Sequence, residues 1–442
     1  MIRLLRSHTG EISFLLDGTR TLLRDTLLNA YQFSTYRSLF HLCGVDEHTL
    51  RADAIRALRR LNPSFKKDYV SLQKDSLERI QTRPFTTDWT SGSTAKPMLR
   101  LSSPEDEEAE AEAVRRAFQS SGITRDDRVA FLDVGASDIY LFYGRVLSAM
   151  GNPGPYFVKV TRRQNVSARL IARLRPTVVI SVPSVLSRCL ADLALEKNRA
   201  PAWDLRKIIY IGEAMHSRLK AQIRRELSAA CLSFYGTTEV GSVGIECERS
   251  GEIHIPLDLM FPTLLPHEGR TVRTLGPKSY EGVVAWTSLR FRDHPLIKFC
   301  VGDLVRISLR TCPCGSPFPA LRFERRLDHS FGLFGIKFTY DLFLDRIHEA
   351  VGGAPHLEIH VSHGTSQSQN AGPSRIRFIL EKRYRHYVKR CTEEILATHP
   401  IEDFVERGLL QISFQFVPAT YFHRRKTRRI VLVRSQSSSP IA

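Results

Sequence analysis

A run of small hydroxyl residues around a glycine, closed by a lysine, is the first segment whose residue types could do chemistry. Its sequence is Thr90-Ser91-Gly92-Ser93-Thr94-Ala95-Lys96-Pro97. Backbone N–H groups beside small side chains, together with hydroxyl and ammonium donors, can surround a phosphate. The segment is not a Walker loop, because its glycine spacing differs and a proline follows the lysine. Ser- and Gly-rich runs are also common in linkers, so the run predicts either a phosphate-binding loop or a linker.

A second segment combines an aromatic ring, two hydroxyls and a carboxylate directly after a predicted strand. It reads Tyr235-Gly236-Thr237-Thr238-Glu239. The ring can stack on a base, the hydroxyls can bind a phosphate, and the carboxylate can hold Mg²⁺. Ligands of an open α/β sheet bind beyond the carboxyl ends of its strands, which is where this segment falls. Taken alone, however, an ordinary strand-to-loop transition explains the run better.

Three cysteines and a histidine form a third set, suited to metal binding. Cys312 and Cys314 are one residue apart in a predicted loop, and Cys247 precedes His254 across a predicted hairpin. Three thiolates and one imidazole make the closed tetrahedral site expected of structural zinc. The spacing of the first pair is tighter than is usual for zinc, so four unliganded residues remain the alternative.

The elements that must position these residues alternate between strands and helices. Short apolar runs rich in β-branched residues predict strands at 128–134, 156–160, 177–182, 207–212 and 232–235. Apolar residues at helical spacing predict helices at 140–150, 166–174, 183–196 and 217–229. The alternation predicts an α/β fold with a doubly wound, mostly parallel sheet covered by helices on both faces.

Other segments flank this core. Ser103, Pro104 and the acidic run after them predict the start of a helix, since they cap it and suit its dipole. We interpret the acidic run as a solvated helix face. Short strands over 272–310 predict a β subdomain, and near Asp328 the pattern changes to helix, strand, helix and strand. We therefore expect a large N-terminal domain over 1–327 and a small α+β domain over 328–442.

Composition places the chain among globular proteins. It has 442 residues, of which 42% are hydrophobic and 25% charged, both near globular averages. The apolar runs are too short to cross a membrane, and no apolar signal core follows the N-terminus. Eight cysteines in such a chain are too few for a disulfide scaffold. We therefore expect a cytoplasmic protein without a membrane span.

Charge is the unusual property of the sequence. The chain has 64 Lys and Arg against 46 Asp and Glu, a formal net charge of +18. This surplus favours polyanionic partners: nucleic acid, an anionic membrane or phosphorylated cofactors. A basic nucleic-acid-binding protein is thus an alternative from another class, but no zinc finger, helix-turn-helix or RNA-stacking motif supports it.

Five motifs follow one another in the order and approximate spacing of a known superfamily. They are Thr90–Pro97, Gly212-Glu213, Tyr235–Glu239, Val301-Gly302-Asp303 and Lys426. In this ordered set the sequence resembles the adenylate-forming enzymes, over most of its length. The segments Pro295–Phe299 and Cys312–Gly315 are similar to the phenylacetate–CoA ligase-like branch, in which some members carry a structural metal on Cys and His residues.

The resemblance implies a part in ATP binding for most of these residues. Implied are Thr90–Lys96 for the β- and γ-phosphates, Gly212 and Glu213 for the adenine pocket, Tyr235 for stacking on the base with Gly236 and Thr237 beside it, Thr238 for the α-phosphate, Glu239 for Mg²⁺, and Asp303 with Arg326 for the ribose.

The implied reaction is the ATP-dependent activation of a carboxylic acid as an acyl-adenylate, followed by transfer to a thiol, with CoA as the expected acceptor. Lys426 matches the small-domain lysine that neutralises charge in the adenylation step, and Asp328 matches the hinge between the two domains. A carrier-protein thiol, a protein cysteine or an amine are alternative acceptors. Ala95, Arg325 and Arg425 stand where the family has glycine, yet the core ATP residues are intact, so we expect an enzyme rather than an inactive scaffold.

The acyl pocket is the least defined part of the resemblance. In this branch it lies between the sheet and the loops that follow its strands. Tyr140, Phe142, Tyr143 and Phe234 are the candidate wall residues. Their rings predict an aromatic or otherwise apolar acid, although each of them is equally compatible with the ordinary core.

Overall fold

The computed structural model describes most of the chain, with gaps. Described are residues 2–7, 9–80, 84–89, 99–133, 137–159, 166–183, 185–186, 204–212, 215, 217–267, 271–327, 330–334, 336–352, 355–364, 373–418, 421 and 430–432.

Strands and helices are numbered along the chain. The strands are β1 (Ile2–Arg6), β2 (Ile12–Leu16), β3 (Thr86–Trp89), β4 (Leu99–Ser102), β5 (Val129–Asp133), β6 (Tyr156–Lys159), β7 (Val178–Ser181), β8 (Lys207–Ile211), β9 (Ala230–Thr237), β10 (Gly241–Ile245), β11 (Ile253–His254), β12 (Met260–Leu265), β13 (Arg273–Gly276), β14 (Ser279–Ser288), β15 (Phe299–Ser308), β16 (Ala320–Arg326), β17 (Ser330–Leu333), β18 (Ile336–Thr339), β19 (Leu357–Ser362), β20 (Ser374–Glu381), β21 (Leu410–Val417) and β22 (Ile430–Leu432).

The helices are α1 (Arg20–Tyr31), α2 (Ser34–Leu42), α3 (Glu47–Ala52), α4 (Ala54–Arg60), α5 (Lys66–Ile80), α6 (Pro104–Ser120), α7 (Ser137–Ala149), α8 (Val166–Leu174), α9 (Ser217–Leu227), α10 (Tyr340–Val351), α11 (Val388–Leu396) and α12 (Ile401–Glu406), with a 3₁₀ turn at Lys382–Tyr387.

The chain forms two compact units, each made of separate stretches. The first contains Met1–Thr90, Met98–Thr124 and Leu232–Leu327, and the second contains Ser91–Pro97, Arg125–Cys231 and Asp328–Ala442. One change of unit falls at the expected boundary before residue 328, but the second unit also takes in Arg125–Cys231. The division into domains 1–327 and 328–442 therefore stays a prediction.

An antiparallel sheet organises the first unit. Its strand order is β1-β2-β12-β14-β15-β16-β11, with β13 beside β14. In β15 every second residue is buried, and the buried row reads Phe299, Val301, Asp303, Val305 and Ile307. Because side chains alternate between the faces of a strand, one carboxylate is fixed among apolar neighbours.

Short helices cover another part of this unit. Leu23 and Leu27 of α1 and Phe40 of α2 share one apolar cluster with Leu50 of α3 and Leu58 of α4. The sequence pattern predicted no helix or strand between residues 2 and 80. Helices of six or seven residues, such as α3 and α4, are too short for the 3.6-residue period to show.

The second unit contains the parallel strands predicted for the middle of the chain. They lie in the order β6-β5-β7-β8, each paired in parallel with its neighbour. Helices α7, α8 and α9 fall at three of the predicted positions, while most of the predicted helix 183–196 lies outside the described residues. The α/β fold class is therefore confirmed.

A second, mixed sheet forms the C-terminal part of this unit. Its order is β21-β20-β19-β22, in which β19 and β20 are antiparallel and the outer pairs are parallel. Phe343 of α10 packs edge-on against Phe378 of β20 at 5.2 Å between ring centroids. The predicted helices and the strands at 357–362 and 410–416 are thus present, but the sequence did not predict β17, β18, β20 or β22.

Candidate active site

The β9–β10 hairpin of the first unit carries the segment Tyr235–Glu239. Its strands pair antiparallel, with Gly236 opposite Ser242. A Cβ atom at Gly236 would lie 2.6 Å from the carbonyl oxygen of Gly241. Only glycine fits so close to another backbone, so the residue at 236 lets the two strands meet directly below the turn.

The turn between these strands presents Thr238 and Glu239. The hydroxyl of Thr237 accepts a hydrogen bond from the backbone N–H of Val240 at 3.1 Å, which closes the turn. Glu239 is buried, and its Oε1 lies 3.7 Å from Nζ of Lys66 on α5. Since a buried carboxylate is costly without a cation, this position is suited to positive charge.

Asp303 joins three of the predicted residues in one contact group. Its Oδ2 accepts a hydrogen bond from the hydroxyl of Tyr235 at 2.7 Å, and its Oδ1 lies 2.9 Å from Nη1 of Arg326. Arg326 also donates to the carbonyl of Val301 at 2.6 Å. The carboxylate is fully buried. Three strands, β9, β15 and β16, therefore meet at a single acid.

The Tyr235 hydroxyl keeps its proton in this environment. Burial, and then the charge of Asp303, raise the pKa of the hydroxyl well above its usual range, while the Arg326 charge opposes them only in part. The ring packs between Trp286 and Phe323, with centroid distances of 6.3 and 6.2 Å. The hydroxyl therefore acts as a fixed donor to the carboxylate.

Several predicted residues lie outside the described part of the chain. These are Thr90, Ser91, Gly92, Ser93, Thr94 and Lys96 of the phosphate loop, Glu213, Asp328 and Lys426. The strands on either side of the loop are described: β3 and β4 pair antiparallel, with Trp89 opposite Leu99. Gly212 follows β8 in the second unit, where it has a φ of 75°, a conformation that favours glycine.

The four predicted pocket residues are divided between the units. In the second unit, Phe142 and Tyr143 of α7 pack edge-on at 5.7 Å, and Tyr143 lies 5.8 Å from Phe131 of β5. In the first unit, Phe234 is buried on β9. The side chain of Tyr140 lies outside the described residues. Their role as a substrate pocket stays a prediction.

The three cysteines and the histidine do come together, at one end of the antiparallel sheet. Their ligand atoms all lie within 4.8 Å of one another. The sulfurs of Cys247 and Cys312 are 3.8 Å apart, and Sγ of Cys314 is 3.2 Å from Nε2 of His254. Two sulfurs at about 2.3 Å from one tetrahedral zinc ion would themselves be about 3.8 Å apart. The donor set and its spacing fit zinc.

The electrostatics of this cluster also favour a cation. Burial and then the neighbouring thiols raise the pKa of Cys314 to about 11. Burial acts in the same direction on Cys312, but hydrogen bonds from Cys314 and other neighbours outweigh it, and the pKa of Cys312 lies below its usual range. Burial lowers the pKa of His254. Thiolates this close would repel one another, and a positive ion between them would relieve that repulsion.

The structure corrects one interpretation and adds three residues. The acidic run of α6 is not entirely a solvated face, because Asp106 is buried and only 13% of the Glu110 side chain is exposed. Glu110 pairs with Arg100. The three added residues are Glu110, Arg100 and Lys66. No sequence motif pointed to them, since each of their contacts joins residues from separate elements. Glu110 is missed because helical acids are usually solvated.

Comparison with known proteins gives a consistent picture. Residues 154–273 match the family model described as AMP-binding enzyme. A phenylacetate-coenzyme A ligase of Thermus thermophilus is 27% identical over 300 residues, which cover 63% of this chain and 62% of that protein. The match thus spans less than two thirds of that relative's length.

Two solved structures show the same fold. A 2-hydroxyisobutyryl-CoA ligase in complex with 2-HIB-AMP and CoA superposes with a TM-score of 0.74 at 18% identity, covering 94% of this chain and 89% of that one. An amide bond synthetase from Marinactinospora thermotolerans gives a TM-score of 0.50 at 16% identity, with coverage of 75% and 65%. The chain therefore has the fold of the adenylate-forming ligases, and its resemblance to the adenylate-forming superfamily is confirmed.

Proposed function

We propose that the chain is an ATP-dependent ligase that activates a carboxylic acid as an acyl-adenylate and transfers the acyl group to the thiol of CoA. One observation carries the proposal: Tyr235, on the strand that ends in the Thr238–Glu239 turn, meets Asp303 of β15, which pairs with Arg326 of β16. The protein of the same fold described above was solved with an acyl-adenylate and CoA bound, which supports the same pair of ligands here.

The proposed reaction has two steps. A carboxylate is a poor acyl donor, since its leaving group would be oxide. Its oxygen attacks the α-phosphorus of ATP, forming the acyl–phosphate bond and releasing pyrophosphate. A thiolate of CoA then attacks the acyl carbon, forming the thioester and releasing AMP. The first step joins two anions, so donors aimed at the phosphates supply much of the rate.

Within this reaction each predicted residue has one task. Thr238 donates to the α-phosphate, and Lys426 offsets the negative charge that develops there. The segment Thr90–Lys96 holds the outer phosphates. These assignments follow the resemblance, and the close-packed glycine at 236 supports the first, because it fixes the backbone shortly before Thr238.

We propose Glu239 as the residue that holds Mg²⁺. Its carboxylate is buried and faces the ammonium group of Lys66 at 3.7 Å, so the position already accommodates a cation. When bound, Mg²⁺ would neutralise charge on the triphosphate.

Asp303 and Arg326 are proposed to recognise the ribose. A carboxylate offers about four acceptor positions, and Tyr235 and Arg326 each engage one oxygen. Ribose hydroxyls therefore have acceptor sites left on Asp303, but they reach this fully buried group only if a neighbouring side chain moves.

The acid is proposed to be aromatic. The support is the aromatic character of the candidate wall residues: Phe142 and Tyr143 pack together in the second unit, and Phe234 is buried in the first. The relative named as a phenylacetate ligase adds support from outside the chain.

We also propose a structural zinc ion on Cys247, His254, Cys312 and Cys314. Zinc here would join the segment after β10, the strand β11 and the β15–β16 loop. These reduced thiols suit the cytoplasm, where we place the protein. Among the described residues, no helix is both long and apolar enough to cross a bilayer.

The test is acid-dependent exchange of pyrophosphate into ATP, measured over a panel of aryl and fatty acids with zinc-replete protein. Exchange with one acid, followed by CoA thioester formation, is the expected result. Exchange without CoA thioester formation would indicate that the acyl acceptor is a carrier thiol, a protein cysteine or an amine. Absence of exchange with every acid would overturn the proposal and favour a scaffold. Salt-dependent binding to nucleic acid would then test the alternative raised by the charge of +18.

A further inference from the structure

We infer that Glu110 is a positioning residue for the turn that carries Thr238 and Glu239. The inference rests on the proposed function, because it concerns how the turn is held for Mg²⁺ and the α-phosphate. Glu110 is on α6, and its hydrogen bonds go to the chain beside these two residues, so it would act through that chain.

Glu110 binds the far end of the β9–β10 turn. Its Oε1 accepts hydrogen bonds from both the backbone N–H and the hydroxyl of Ser242, each at 3.1 Å. Gly241, just before Ser242, has a φ of 77° and lies so close that a Cβ there would be 3.1 Å from the Glu110 carboxyl carbon. The carboxylate therefore fixes the turn by contact as well as by hydrogen bonds.

The other oxygen of Glu110 binds strand β4. Its Oε2 pairs with the guanidinium of Arg100, and the two side chains are nearly buried, with 13% of Glu110 and 9% of Arg100 exposed. Arg100 is on β4, the strand that follows the segment Thr90–Lys96 in the sequence. Because a charged pair at this burial is strong and directional, one carboxylate ties β4 to the β9–β10 turn.

Arg100 also contacts the stretch of chain that leads into β15. Its guanidinium lies 5.4 Å from the ring of Phe291, at the start of the stretch that leads into β15 and Asp303. The next three residues of that stretch donate their backbone N–H groups to Asp106, at 2.6, 3.2 and 3.3 Å. Asp106 is one helical turn before Glu110, on the same face of α6.

Helix α6 thus contacts β4, the β9–β10 turn and the stretch before β15, all within the first unit. Asp106 holds the stretch before β15, and Glu110 holds both Arg100 of β4 and the turn with Glu239. Of the two acids, Glu110 is the one whose loss would release the turn directly.

The experiment measures how much Mg²⁺ improves the binding of α,β-methylene-ATP, by calorimetry with and without the metal. For Glu110→Ala we expect that gain to fall by about tenfold, as is typical when a residue behind a metal ligand is lost. Glu110→Gln keeps an acceptor for Ser242, and we expect it to stay within about threefold of the original chain.

Glu112→Ala is the matched control. This acid is on the same helix, but it pairs with Arg115 and Arg116 at 2.6 Å, away from Ser242. A merely structural effect on α6 would appear in both variants as a lower melting temperature, without a change in the Mg²⁺ gain. An equal Mg²⁺ gain in Glu110→Ala and Glu112→Ala would overturn the inference.

Two further readouts keep the test decisive. If Glu110→Ala does not fold, Ser242→Ala removes one of the two bonds to Glu110 and should lower the Mg²⁺ gain by about twofold to fivefold; an unchanged gain would overturn the inference. If the original chain binds the analogue in neither condition, the proposed function fails instead. Binding by the original chain with no loss in the Glu110 variant refutes only the positioning role.

Discussion

The Asp303 contact group and the cysteine–histidine cluster are built on the same antiparallel sheet, yet their polar atoms find partners in different ways. Asp303 has a hydroxyl and a guanidinium from its own chain on its two oxygens. The cluster brings together four groups that bind cations, with two of its sulfurs 3.8 Å apart. The first site thus balances its charge with partners from its own chain, whereas the second gathers donors for which we propose a zinc ion.

Replacing Cys312 by Ser should have the largest effect, because it removes one ligand from the proposed zinc site. We expect zinc content, measured by atomic absorption, to fall from one ion per chain to near zero. The melting temperature should drop by roughly 5–10 °C, since structural zinc contributes to folding directly. Cys43→Ser is the control, as that thiol is outside the cluster. Equal zinc content in the two variants would show that the cluster does not hold the metal.

Asp303→Asn tests the contact group of Tyr235, Asp303 and Arg326. The change leaves the shape but removes the charge opposite Arg326, and we expect the free energy of unfolding to fall by about 3–4 kcal/mol. Affinity for AMP should fall at least about tenfold, measured by calorimetry, because hydrogen bonds to a charged acceptor are lost. Tyr235→Phe serves as the comparison, since it removes only one donor to the same acid. AMP binding as tight as in the original chain would separate Asp303 from nucleotide recognition.

Asp106 sharpens the comparison, because three backbone N–H groups hold its carboxylate. Burial, opposed in part by these bonds, raises its pKa from 3.8 to about 6. The folded state then binds the proton more tightly than the unfolded state, so this group's contribution to stability falls as pH rises from about 4 to about 6. The loss amounts to about 3 kcal/mol.

Asp106→Asn should remove this pH-dependent loss of stability. The measurement is the free energy of unfolding in urea at several pH values. Acids with a lowered pKa, such as Glu112, make a contribution to stability that rises with pH instead. The informative quantity is therefore the difference between the variant and the original chain. A difference that does not change with pH would contradict the shift.

Gly236→Ala tests the close approach of the two strands below the turn. The added methyl would lie 2.6 Å from the Gly241 carbonyl oxygen, and forcing it in should cost about 2 kcal/mol and slow the adenylation step. Gly144→Ala is the matched control: the site is in helix α7, and the nearest atom to its Cβ would be 3.8 Å away. There we expect a gain of about 0.5–1 kcal/mol in thermal unfolding. Equal effects at both glycines would mean that the hairpin has room to open.

The sequence predicted what local patterns determine. Ser103 and Pro104 predicted the start of α6, and the side chain of Ser103 does accept a hydrogen bond from the backbone of Asp106. The resemblance to the adenylate-forming enzymes implied that Tyr235, Asp303 and Arg326 all bind ATP. Cys-x-Cys-Gly with a further Cys and His predicted a cluster that the structure brings together.

Contacts between distant elements could not be predicted in this way. The Tyr235–Asp303 bond joins residues 68 positions apart, and the Glu110–Ser242 bond joins residues 132 positions apart. Nothing in a helical acid distinguishes one that faces water from one that faces a turn, because that depends on which strand packs against it. The short helices between residues 20 and 60 were missed because each has too few turns for apolar residues to recur with the helical period.

The buried pair of Lys298 and Glu11 has a consequence for the order of synthesis. Nζ of Lys298 lies 2.9 Å from both oxygens of Glu11, which precedes β2, and the two residues are 287 positions apart. At about 5–20 residues per second, a ribosome needs roughly 15–60 s to travel from one to the other. The first hairpin of the chain therefore emerges long before the strands it must join. During that interval its apolar residues, Ile12 and Phe14 among them, are a natural target for chaperones.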